Sequence, residues 1–128
     1  MNIGMLSKES GVSTKLIRHY EDIGLINKVA RSENGYRIYL ESDINNLRFI
    51  KRSRELGFSL SDIKKLLSLW KNKSRTSEQV KQLANKHLLD LENKLKQIKD
   101  MADSLRHLVQ NCHGDHRPDC PILKKLSD

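Results

Sequence analysis

Two cysteines stand eight positions apart near the end of the chain, in Cys112-His113-Gly114-Asp115-His116-Arg117-Pro118-Asp119-Cys120-Pro121-Ile122, and the chain has no other thiol. Thiolate sulfur is the soft donor that selects Cu(I), zinc and iron–sulfur clusters. The number of donors narrows that choice. Structural zinc takes four ligands and iron–sulfur clusters typically four cysteines, and this pair alone supplies neither set. Cu(I), Ag(I) and Au(I) are satisfied by two sulfurs in a near-linear arrangement. Gly114 and Pro118 can turn the chain between the sulfurs so that they face each other.

Charge is a second filter. Two thiolates with a monovalent ion leave a net charge of −1, whereas a divalent ion leaves zero. Asp119-Cys120-Pro121 reads as a helix start with Pro121 at the first helical position. Ile122, Leu123 and Leu126 are its expected anchors. The free N–H groups at such a start stabilise anions and lower a nearby thiol pKa, which suits the −1 complex. His113 and His116 lie in the same loop. Read as solvated residues they leave the sulfurs alone; read as nitrogen donors they open the site to zinc.

The elements that position this loop begin with a long helix. Ala84, Leu88, Leu91, Leu95, Ile98, Ala102, Leu105 and Val109 alternate steps of four and three, an unbroken heptad seam. A helix from about Ser77 to Gln110 would be on the order of 50 Å long. Its seam cannot be buried against a small domain alone, and pairing with the same helix of a second chain gives a two-fold homodimer. His87 and His107 on this helix read as packed or solvated residues and not as ligands.

Upstream, glycines punctuate shorter elements. Ile3 to Ser10 is an expected helix with Met5 and Leu6 inward, followed by the turn Gly11-Val12-Ser13 with Ser13 as N-cap. Thr14 to Ile23 is a second helix with Leu16, Ile17 and Tyr20 near one face, Lys15, Arg18 and His19 on the other, and Gly24 at its stop. Two short helices joined by a glycine turn are a helix-turn-helix signature. Val29-Ala30-Arg31 and Arg37-Ile38-Tyr39 flank an Asn34-Gly35 turn, a hairpin signal. With Arg31, Tyr36 and Arg37 upon it, the hairpin reads as a wing along DNA. A second helical pair follows, with Ser42 as cap of a helix carrying Ile44, Leu47 and Ile50 to Gly57. Ser59 and Asp62 then open a helix carrying Leu60, Ile63, Leu66, Leu67 and Trp70. Lys51, Arg52 and Arg54 make the first of these two helices basic.

Composition agrees with a nucleic-acid partner. The 128 residues carry a net charge of +8, 31% of them are charged and only 5% aromatic, so a polyanion is favoured and the core is expected to be aliphatic and small. No segment approaches the ~20 apolar residues of a membrane span, and no basic-then-apolar leader opens the chain. A cytoplasmic location is expected, where paired cysteines are ligands, redox centres or bystanders more often than staples. A metal carrier would need neither the helix-turn-helix nor the wing. A thiol enzyme would need a positioned base and a cleft that the loop and coiled-coil histidines do not provide.

Ile3-Gly4, Gly11-Val12, Ile17-Arg18-His19-Tyr20-Glu21, Gly24-Leu25, Asn34-Gly35-Tyr36-Arg37-Ile38-Tyr39 and Arg54-Glu55-Leu56-Gly57-Phe58-Ser59-Leu60 together closely resemble the MerR family of transcriptional regulators. The resemblance covers about the first 70 residues and runs on into the long helix. The tail Cys112-x7-Cys120-Pro121-Ile122 resembles the copper-efflux regulator branch, whose members start the dimerisation helix with serine, as Ser77 does here. His19 departs from the aromatic common at its position, and His113 and His116 enrich the loop in nitrogen.

The resemblance implies a mainly α fold: a winged helix-turn-helix DNA-binding domain (1–70), a connector (71–76), a long antiparallel coiled-coil dimerisation helix (77–111), and a metal-binding loop with a short C-terminal helix (112–128). It implies one Cu(I), Ag(I) or Au(I) per protomer on Cys112 and Cys120, with Ser77 lining the site without ligating. It places Lys15, Arg18 and Tyr20 on the recognition helix, Arg31, Tyr36 and Arg37 on the wing, and Arg54 at the DNA backbone. It implies a homodimer on double-stranded promoter DNA, without enzymatic activity. Metal binding would bend and underwind an over-long spacer and align two RNA polymerase elements, activating copper and silver resistance genes. A regulator of the same family responding to zinc, another divalent metal or thiol redox state is the other expectation.

Overall fold

The computed structural model describes residues 1–27, 33, 35 and 38–128. These residues form α1 (Ile3–Ser10), α2 (Thr14–Asp22), α3 (Glu41–Glu55), α4 (Leu60–Lys71), α5 (Ser77–Gln110) and α6 (Pro121–Ser127), with no strand among them. The chain divides into two compact units, Met1–Leu83 and Ala84–Asp128.

In the first unit, α1 and α2 each start on a side-chain cap. The Asn2 side-chain oxygen accepts the Met5 N–H at 2.8 Å, and Ser13 Oγ accepts the Leu16 N–H at 3.2 Å. Gly11, at φ 73, ends α1 in the left-handed conformation that glycine takes most readily. Met5 and Leu6 do not share the core: Leu6 is fully buried while Met5 is 55% exposed. Successive helical residues point about 100° apart, so only one of the two meets the core. The same phase corrects α2, where Ile17 and Tyr20 turn inward and Leu16 stays out.

α3 begins one residue before the expected cap. Leu40 is its N-cap position, and the Asp43 carboxylate accepts the Leu40 N–H at 2.8 Å. Ser42 is therefore a helical residue, and Asp43, three residues after the cap, satisfies the backbone in its place. Ser59 does cap α4, with Oγ accepting the Asp62 N–H at 3.1 Å. Ile44, Leu47, Ile50, Ile63 and Leu67 join Leu6 and Ile17 in an aliphatic core. Trp70 stays outside and stacks on Phe49, with ring centroids 4.7 Å apart.

The arms of the expected hairpin lie outside the described residues except for Ile38 and Tyr39. Tyr39 is a core residue, 1% exposed. Its N–H donates to the Met1 carbonyl at 2.8 Å, and its hydroxyl donates to the Glu21 carboxylate at 3.1 Å in a buried setting. Hydrogen bonds to charged groups contribute about 1.5–3 kcal/mol. Tyr39→Phe is expected to lower unfolding stability by about that amount, read as a shift in urea midpoint at fixed protein concentration. An unchanged midpoint would show that the bond contributes nothing net.

The start of α5 carries a reciprocal cap. Thr76 Oγ1 accepts the Gln79 N–H at 3.3 Å, and Gln79 Oε1 accepts the Thr76 N–H at 3.0 Å, a Thr-x-x-Gln capping box. The helix then runs for 34 residues with none of them buried, a length of about 51 Å. Within the second unit the seam lies open. Leu88, Leu91, Leu95, Ile98, Leu105 and Val109 are each between 40% and 68% exposed. In α6 only Ile122 is half-buried; Leu123 and Leu126, expected as anchors, are exposed within one protomer. No described helix is long and apolar enough to cross a membrane.

Candidate metal centre and nucleic-acid interface

The cysteine loop is shaped by the ends of two helices. α5 closes with the Cys112 N–H on the Val109 carbonyl at 3.2 Å. Gly114, at φ 66, reverses the chain. The Asp115 carboxylate then accepts the Arg117 N–H at 2.9 Å and its Nε at 2.8 Å, folding the middle of the loop on itself. Cys120 is the N-cap residue of α6, and Pro121 takes the first helical position, where its missing N–H costs no hydrogen bond.

This arrangement brings the two sulfurs together. Cys112 Sγ and Cys120 Sγ are 3.8 Å apart and half-buried. The Cys120 thiol is held below its ordinary pKa, first by the backbone N–H of Leu123, then by the Cys112 thiol and the Ile122 N–H; partial burial opposes them. The N–H groups at the start of α6 thus act on this sulfur as the helix-start argument expects.

Spacing and donor count test which ion fits. With ~2.3 Å metal–thiolate bonds, two sulfurs across one ion stand about 4.6 Å apart, and at a tetrahedral angle about 3.8 Å. The observed 3.8 Å equals the tetrahedral spacing and falls short of the linear one by about 0.8 Å, a gap that small side-chain adjustments close. The donors decide between them. Among the described residues no three His, Cys, Asp or Glu side chains gather into a set that could hold an ion. A tetrahedral ion needs four donors; here the sulfurs stand as a pair, and His113 and His116 do not converge with them. His107 is engaged elsewhere, with Nε2 3.1 Å from the Asn111 amide nitrogen. Ser77 is the exposed first residue of α5.

A second candidate surface lies on the first unit. Lys15, Arg18 and His19 project from α2 into solvent. Tyr20 does not join them: it is 6% exposed and packs in the core. Three residues on from Ile17, it falls on the buried stripe of the helix. Arg54 is exposed and donates to the Phe58 carbonyl at 2.8 Å, which fixes its direction at the end of α3. Arg31, Tyr36 and Arg37 lie outside the described residues.

Lys51 is a residue the sequence reading did not place at this surface. Its ammonium lies against the turn before α2, where a Cβ built on Gly11 would stand 2.7 Å from Nζ. Gly11, Ser13, Leu16, Lys51 and Arg54 line one open crevice together with Tyr20 and Glu55. Lys51 and Arg54 are three apart on a helix and so share a face; that spacing is the signal that could have found Lys51.

Comparison with known proteins follows the same two surfaces. The model described as MerR HTH family regulatory protein matches residues 1–70. The model described as MerR, DNA binding matches residues 44–108. Heavy metal-dependent transcription regulator 2 of Rhizobium meliloti (strain 1021) is 51% identical over 128 residues, covering 100% of this chain and 87% of that protein. HTH-type transcriptional regulator CueR of Salmonella typhimurium is 36% identical over 127 residues, covering 99% and 92%. Among solved structures, the transcription regulator PbrR691 from Ralstonia metallidurans CH34 in complex with lead(II) superposes with a TM-score of 0.88 at 31% identity, covering 98% of each chain.

Proposed function

This chain belongs to the MerR family of helix-turn-helix regulatory proteins, DNA-binding transcription regulators and not enzymes, and on that premise we propose that it is a metal-responsive regulator switched by a monovalent soft ion. A homodimer, joined along the α5 seam, binds double-stranded promoter DNA. One Cu(I), Ag(I) or Au(I) per protomer is held by Cys112 and Cys120. The observation that carries the metal assignment is the convergence of two sulfurs at 3.8 Å, with no third donor gathered to them among the described residues. Relatives named for heavy metals and CueR support the class of ligand.

The ion supplies a covalent-strength tie between the end of α5 and the start of α6. The chain's own contribution is a thiol pair already turned inward, with Cys120 biased toward the thiolate that a metal requires. Ser77, from the partner chain, lines the site; its hydroxyl is too hard a donor to ligate a soft cation. The family resemblance supplies the readout. The dimer holds a promoter whose spacer is too long, and the metal-bound form bends and underwinds it so that RNA polymerase engages copper and silver resistance genes. Deformations of this kind cost about 1–6 kcal/mol.

X-ray absorption of the Cu(I) protein tests the ligand set: two sulfurs and no nitrogen are expected. Imidazole in the first shell, or transcription stimulated by Zn(II) as strongly as by Cu(I), would favour the divalent reading for which the lead-bound relative is the precedent.

DNA docking is tested separately. Arg18→Ala is expected to cost roughly 1–3 kcal/mol and relax discrimination at one base pair, as loss of a base contact does. Lys51→Met is expected to weaken all sequences alike and to reduce the log–log salt slope by about 0.9, the signature of one phosphate contact. Titration of labelled operator and a scrambled duplex at several salt concentrations reads both. A Lys51 variant with an unchanged slope would remove that residue from the interface.

A further inference from the structure

We infer that Cys112 and Cys120 are also a peroxide-sensitive modification site: oxidation joins them in an intrachain disulfide that removes both metal donors and silences the switch. The inference rests on the metal reading above and adds a second input to the same pair. It starts from distance. The sulfurs stand 3.8 Å apart, and a disulfide bond is about 2.05 Å long. Each sulfur therefore closes by about 0.9 Å, within reach of small side-chain and loop adjustments.

The loop permits that closure. No helix or strand spans residues 113–119. Gly114 turns the chain with open space around it, and the one ion pair within the loop, Arg117 with Asp115, joins residues two apart and leaves both ends free to approach. Both thiols are half-buried, so a small oxidant reaches them. With no third cysteine in the chain, each has one partner within its protomer. Disulfides in reducing compartments are characteristically transient and redox-sensing, and exposed ones are the labile, regulatory kind.

The chemistry needs hydrogen peroxide as oxidant. One thiol sulfur attacks a peroxide oxygen, the O–O bond breaks, and water leaves as the sulfur becomes a sulfenic acid. The second sulfur attacks the first, the S–O bond breaks, and a second water departs with the remaining thiol proton. Two thiols and one peroxide become one disulfide and two waters; the sulfurs lose two electrons and the peroxide gains them. A disulfide has no thiolate to offer a soft cation. A bound ion occupies the same lone pairs, so metal and peroxide exclude one another.

The test uses the full chain, reduced and metal-free, with one equivalent of hydrogen peroxide. Mass spectrometry is expected to show each protomer two hydrogens lighter, with the Cys112 and Cys120 peptides linked. Thiol titre should fall from two to none and Ag(I) uptake from one ion per protomer to none, both restored by dithiothreitol. Operator binding should change less than twofold. Ag(I)-loaded protein should resist the same treatment, and Cys112→Ser and Cys120→Ser should each lack the intrachain product. Persistent free thiols, cross-links between protomers, or sulfinic acids in place of the disulfide would overturn the inference. A reduced chain that takes up no Ag(I) would sink the metal reading before any oxidant is added, while the disulfide is scored independently by mass.

Discussion

Cys112→Ser and Cys120→Ser are each expected to abolish metal-dependent transcription while leaving operator affinity within about twofold of the parent chain. The loss should be near complete because each sulfur is half of the gathered donor set. Losing even an outer-shell partner of a metal ligand typically costs 10–100-fold in affinity, roughly, and a direct soft donor replaced by a hard hydroxyl costs more. The two variants separate sensing from docking, since Lys15, Arg18, Lys51 and Arg54 belong to the first unit, Met1–Leu83, and both cysteines to the second, Ala84–Asp128. Run-off transcription with and without Cu(I), beside a binding titration on the same operator, reads both quantities. Either variant retaining half of the metal response would mean that other donors carry the ion. His113 and His116 are the first to examine, and the double change of both to Ala should leave the response of the parent loop unchanged.

Much of this arrangement is written locally. Ser13 and Ser59 cap helices because a hydroxyl three residues before a free N–H reaches it without help from the rest of the fold. The long helix is legible in its heptad spacing, and its bounds, Ser77–Gln110, follow the pattern closely. Pro121 marks the start of α6 for an equally local reason. Thr76 and Gln79 spell a capping box for the same local reason. What could not be read depends on the angle at which elements meet. Tyr20 and Leu16 both sit beside Ile17 in the helical pattern; only the direction of the packed core decides that Tyr20 is buried and Leu16 is not. The spacing of Lys51 and Arg54 puts them on one face of α3, but that this face meets the Gly11 turn, forty positions away, is set by packing. The loop's residue types announced soft-metal chemistry, but the approach of its sulfurs is set jointly by Gly114, the Asp115–Arg117 turn and the cap of α6.

Leu91→Asp combined with Leu95→Asp is expected to convert the protein to a monomer. Both leucines lie on the α5 seam and are at least 40% exposed in one protomer, so their burial awaits a second chain. Two-fold symmetry repeats each substitution, placing four carboxylates in the joint. Fully burying a leucine is worth about 1.5–3 kcal/mol; Leu91 and Leu95 are 40% and 68% exposed in one protomer, so the burial lost over both chains amounts to roughly 3–6 kcal/mol. Desolvating four unpaired carboxylates adds to that. The binding free energy of a nanomolar dimer is about 12 kcal/mol, so the pair of changes reaches the scale of the whole association. Leu89→Asp is the control: at about 100° per residue it faces roughly 130° away from the seam centre, and although 60% exposed it should leave the dimer intact. Sedimentation equilibrium gives the mass, and helical circular dichroism confirms that α5 persists. Operator binding should collapse with the dimer, since two half-sites then engage independently. A seam variant that sediments as a dimer, or a Leu89 variant that does not, would place the joint on another face of α5.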